Sequence, residues 1–179
     1  MRWNTISEVC AHHQAAHAEL AATAARLTPE AALHRVQEDT WSAAEIVEHI
    51  AMVDLGIVKI ITRLMEQASA AGSPSDGSLK LSQEFLRHTA DTESKKLEAP
   101  AMVQPTAGRS IAESLERLAA TQALADAAMP MLERFDPGDL CYPHPYFGDL
   151  NAHEWFALRT GHLVRHHRQL TTVIGQIKA

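Results

Sequence analysis

Cysteine is scarce. Cys10 and Cys141 are the only two in 179 residues, far apart and without C-x-x-C spacing, which excludes a disulfide scaffold and reads as free thiols in a reducing cytosol. Positive charge is not in excess: 16 Lys and Arg stand against 22 Asp and Glu, a formal net charge of -6. That removes nucleic acid as a main partner, because phosphate binding needs concentrated cations. No apolar run approaches the ~18 uncharged residues of a membrane helix. The opening MRWNTISEVCAHHQ lacks the apolar stretch of a secretory signal. The expectation is a cytoplasmic protein with no membrane partner. Aromatic residues make up only 5% of the chain, yet 46% is hydrophobic, enough for one domain over residues 1–179 burying roughly 70% of its unfolded surface. What is plentiful is histidine, 11 residues, more than all the aromatics together. Histidine carries protons near neutral pH and is the commonest metal ligand, so its placement is the main question.

Hydrophobic periodicity predicts four long helices. In the first, residues 5–27, Ile6, Val9, His13, His17, Leu20, Ala24 and Leu27 recur at three- and four-residue steps, ending near Thr28-Pro29. The second opens on Trp41-Ser42-Ala43-Ala44-Glu45, a capping box, and carries the stripe Ile46, His49, Ile50, Val53, Ile57, Ile60, Ile61 and Leu64 before fraying ahead of Gly72. The third starts at Ser110 with Glu113, aligns Ile111, Leu115, Leu118, Gln122, Ala125, Met129 and Leu132, and meets Pro130 and the stop Asp136-Pro137-Gly138. The fourth runs from Asn151 to about Ile177, about 40 Å of helix. Residues 72–108 begin with Gly-Ser-Pro-Ser-Asp-Gly-Ser linker chemistry, contain a weak helix over 82–97, and are held extended by Pro100 and Pro105. No internal repeat and no strand pair is expected. The fold class is all-α, a four-helix bundle with a long crossover between its second and third helices, and spacing alone leaves the helix order open.

On the fourth helix Trp155, Leu158, His162, His166, Leu170, Val173 and Ile177 share one face. Two histidines four apart stack on adjacent turns, with Cβ atoms roughly 5–6 Å apart, and both can reach one divalent ion. His49 holds the equivalent place on the second helix, so facing helices would bring three imidazoles together. Three protein ligands leave a coordination position for water or substrate. The competing reading is three core histidines bonded to neighbours; burying three imidazoles with no acid on their own stripes weighs against it. His13 and His17, also four apart, are a rival pair that would complete the site, compete for it or line the cavity. Gln122 is either a hydrogen-bond partner to ligands or a cavity-lining polar group. His12, His34, His88, His153 and His167 read as solvated, and Trp41 as a structural anchor.

The segment WSAAEIVEHI (41–50) resembles the motif opening the second helix of the DinB superfamily. HPYFGDLNAHEWFALRTGHLVRHHRQL (144–170) resembles that family's C-terminal signature through His144-Pro145, Gly148-Asp149-Leu150, Glu154-Trp155, His162, His166 and Gln169. The two motifs cover about a fifth of the chain. The resemblance implies an up-down-down-up bundle, often dimeric, with a metal triad of His49, His162 and His166 holding nickel or zinc and an open side filled by water. It also implies metal-dependent hydrolases, or transferases using a low-molecular-weight thiol, acting on a small-molecule substrate. The His13/His17 pair and the 72–108 segment, a candidate lid, depart from the pattern. Two other functions stay open. One is a non-catalytic module stabilised by metal, which His13 or His17 as a fourth ligand would favour. The other is a plain bundle dimerising through an apolar face.

Overall fold

A computed structural model describes residues 3–92, 95 and 97–177. In chain order the elements are α1 (Ile6–Ala24), α2 (Pro29–Leu33), α3 (Ala43–Ala71), α4 (Gln83–Thr92), a single 3-10 turn (Ala101–Val103), α5 (Ile111–Arg134), β1 (Cys141–His144), β2 (Gly148–Asn151) and α6 (Ala152–Ile177). The starts of the long helices are chemically fixed. Thr5 accepts from the Glu8 N–H, and Ser42/Glu45 and Ser110/Glu113 close reciprocal capping boxes. Asn151 and Glu154 exchange the same pair of bonds at the head of α6, each at 3.0 Å. Gly72, at φ +71°, ends α3 in the left-handed conformation that glycine adopts without steric cost.

The helix directions follow from pairs of residues in contact. His49 and Asp54 of α3 meet His162 and Arg159 of α6, so these helices are antiparallel. His13 and Thr23 of α1 meet Thr160 and His167 of α6, so those are parallel. α5 runs against α6, Gln122 meeting Arg159 and the Leu132 carbonyl meeting His153, and it starts beside α3, where Arg109 meets Glu48. The bundle is therefore up-down-down-up, and the long crossover carries the chain between the parallel α3 and α5.

The core has two apolar halves with a polar layer between them. One half gathers Ile57, Ile61, Met65, Leu132, Trp155 and Phe156; the other gathers Leu20, Ile46, Ile50, Leu118, Leu163 and Leu170. At 25 cal/mol per Å² each such side chain contributes about 1.5–3 kcal/mol. The intervening turns of all four long helices supply His13, Asp54, Gln122, Arg159 and Thr160. The Arg159 guanidinium, 2% exposed, donates to both Asp54 oxygens at 2.7 and 2.9 Å and to Gln122 at 3.0 Å.

Four sequence expectations need correction. A strand pair exists: β1 and β2 form an antiparallel hairpin, with Cys141 opposite Asn151 and His144 opposite Gly148, whose φ of +73° turns the chain. A short helix, α2, occupies the first connection, capped by Thr28 with Pro29 in its first turn. The weak helix is Gln83–Thr92 within the expected 82–97, and positions 93, 94 and 96 of that span lie outside the described residues. Two histidines expected to be solvated are not: the His167 side chain, 18% exposed, lies with Nε2 3.1 Å from Thr23 Oγ1, and the other is His153. It is fully buried, its Nδ1 accepting from the Lys80 N–H at 3.1 Å and its Nε2 lying 3.4 Å from the Leu132 carbonyl.

Candidate metal centre

His49 lies about two turns past the Ser42 cap of α3, and His162 and His166 occupy successive turns of antiparallel α6. Helix direction therefore brings them to one level. One ligand atom from each lies within 4.8 Å of the other two. Ring centroids are 5.1 Å apart for His49 and His162, 4.8 Å for His49 and His166, and 4.3 Å for His162 and His166. His49 is buried and the α6 pair half-buried, with the Trp41 ring 4.8 Å from His49 closing one side.

Two hydrogen bonds set which nitrogen faces inward. His49 Nδ1 is 2.7 Å from the Val103 carbonyl, which only accepts, so Nδ1 carries the proton and Nε2 presents its lone pair. His166 Nδ1 donates to Gln169 Oε1 at 2.8 Å, with the same result. Such outer partners are the normal support of a metal-binding imidazole. His49 Nε2 and His162 Nε2 are 3.1 Å apart. Two nitrogens at the ~2.05 Å zinc bond length sit about 3.3 Å apart on a tetrahedron and about 2.9 Å apart on an octahedral edge, so the spacing suits a shared cation of either geometry. The protonation chemistry agrees. Burial pushes His49 below the ordinary imidazole range, partly opposed by the Val103 bond. Burial and then the neighbouring His166 and His49 hold His162 well below it, and burial and then His49 hold His166 down to about 4. Neutral imidazoles are what a metal requires.

His13 and His17 do not join this group. They lie on the α1 side of α6, where His13 Nδ1 is 3.5 Å from Thr160 Oγ1. Burial first, and then Arg159, push His13 down to about 2, which removes it as a general base near neutral pH. Gln122 serves Arg159 and Asp126 rather than a ligand. His144 shapes the hairpin turn, accepting the Tyr146 and Phe147 N–H groups on Nδ1. Sequence reasoning missed the Val103 carbonyl, brought to α3 by the crossover, and Glu48 of α3, whose donors Thr106 and Arg109 the crossover brings. Among the described residues no helix is long and apolar enough to cross a membrane.

Comparison with known proteins bears on the family and the fold. The family model described as DinB superfamily matches residues 12–170. The crystal structure of TT2238, described as a four-helix bundle protein, superposes with a TM-score of 0.61 at 20% identity, covering 93% of this chain and 98% of that one. At that identity it speaks to the fold alone. A search of curated proteins gives no match.

Proposed function

The chain belongs to the DinB superfamily, and on that premise we propose that it is a metal-dependent enzyme holding a divalent cation, nickel or zinc, on His49, His162 and His166. The observation that carries this reading is the convergence of three ligand atoms within 4.8 Å, with the His49 and His166 rings turned inward by acceptors on their outer nitrogens. An all-imidazole donor set is the chemistry nickel and zinc accept. When bound, the cation supplies Lewis acidity and lowers the proton affinity of a water or thiol at the open position.

The chain's own residues do the positioning. His49, Val103 and Trp41 fix one wall, His162 and His166 the other, and Arg159 with Asp54 ties α3 to α6 below them. The reaction class is hydrolysis, or transfer of a low-molecular-weight thiol to an electrophilic small molecule. The separation of His13 and His17 from the triad favours an open site over a closed four-ligand structural one. Cobalt-substituted protein titrated with a small thiol tests this: a sulfur-to-metal charge-transfer band supports it. A visible spectrum that neither thiol nor azide alters overturns it. A cytoplasmic homodimer belongs to the same proposal, and sedimentation equilibrium checks the dimer.

A further inference from the structure

We propose that Glu48 is the positioning residue of this centre. Its buried carboxylate fastens the segment 101–109 across α3 so that the Val103 carbonyl holds His49 with Nε2 facing His162. The inference rests on the metal-binding reading and concerns what sets the affinity of that site.

Glu48 precedes His49 on α3, so its side chain points about 100° away around the helix, and it is not among the converging ligand atoms. It is fully buried, 0% exposed, where an unpaired charge is untenable. Its compensation comes from one short stretch of the crossover. Thr106 Oγ1 donates at 2.7 Å and Arg109 Nε at 3.3 Å to Oε1, while the Thr106 N–H donates at 3.2 Å to Oε2. Three residues before Thr106 stands Val103, whose carbonyl takes the His49 proton. Two adjacent residues of α3 thus grip one strap at two points, one through a charge and the other through a metal-facing imidazole.

Left to itself the strap has little reason to lie there. Met102 is 87% exposed, the 3-10 turn buries no residue, and Ala107 sits at φ +57°, which an alanine adopts only when held. The Glu48 bonds tie Thr106 and Arg109 to α3 through a buried charge, and losing them frees the Val103 carbonyl from its fixed place. The His49 ring then turns without a set tautomer. Losing the outer partner of a ligand imidazole typically weakens metal binding about 10–100-fold, which is the upper bound for Glu48 acting through the Val103 carbonyl.

The test compares wild type, Glu48→Ala, Glu48→Gln, Thr106→Val and His49→Ala by zinc titration against a chromophoric chelator. The visible spectra of the cobalt forms are recorded alongside. Val9→Ala, a core substitution far from the strap, supplies a destabilised control. Expected is a Kd weakened by up to about 10-fold in Glu48→Ala, the low end of the range for losing a ligand's outer partner, smaller losses in Glu48→Gln and Thr106→Val, and an altered cobalt spectrum, with no change in Val9→Ala. A wild-type Kd and spectrum in folded Glu48→Ala or, should that variant not fold, in Thr106→Val overturns the proposal and leaves Glu48 a purely structural residue. A wild type that takes no zinc overturns the metal reading itself, a failure visible before any variant is compared.

Discussion

Acid should destabilise this bundle through His13 in a way that one substitution removes. His13 is 1% exposed in the polar layer, with Arg159, Gln122, Thr160, His12 and His17 around it. Burial, then the Arg159 cation, then His17, hold its folded pKa at about 2 against 6.5 in the unfolded chain, with the neighbouring Gln122 amide opposing them. Because the folded pKa is the lower one, the stability from this group is fully present above pH 6.5 and is lost as pH falls below it. Each unit costs about 1.4 kcal/mol, so pH 4.5 removes about 2.7 kcal/mol relative to pH 7.5. In His13→Gln that loss disappears, while the contributions of the other histidines remain and cancel in the difference. Urea unfolding of both proteins in excess chelator, at half-unit steps between pH 7.5 and 4.5, measures it. The stability gap between wild type and variant should shrink, and can reverse, by about 2.7 kcal/mol over that range. Parallel pH profiles would refute the claim that the polar layer holds His13 neutral.

The Arg159–Asp54 pair is buried on both sides, so Asp54→Leu or Arg159→Met alone strands a partner and should cost about 3–5 kcal/mol, with Asp54→Leu/Arg159→Met together recovering most of it; urea midpoints decide. An additive double variant would mean the charges are not coupled. Ser42→Ala removes one half of the α3 capping box and should lower stability by about 1 kcal/mol in thermal melts, whereas an unchanged Tm would show the cap to be redundant.

Much of this molecule was legible in the chain, and the exceptions share a cause. The capping boxes at Ser42 and Ser110 and the 3.6-residue stripes are local signals, and the α3, α5 and α6 boundaries agree with them within a residue or two. His49, His162 and His166 were readable as inward positions, and the structure brings all three together. Residues whose role is set by distant chain were not readable. The hairpin escaped because its strands are four residues long, mostly exposed, and one contains Pro143. His153 looks like a polar-face residue until Lys80 and Leu132 arrive from elsewhere to bond its two nitrogens. His13 was correctly inward, but only the order of helices decides that α1 packs on the Thr160 side of α6. Glu48 reads as an ordinary helix charge because its three donors come from more than fifty residues away.

The central claim is that His49, His162 and His166 jointly hold one cation. Elemental analysis of protein purified without a metal-affinity tag, beside His49→Ala and His162→Ala prepared identically, tests it most directly. The expected result is about one nickel or zinc per wild-type chain and a near-complete loss in each folded variant. Equal metal content in all three, whether high or negligible, would contradict it.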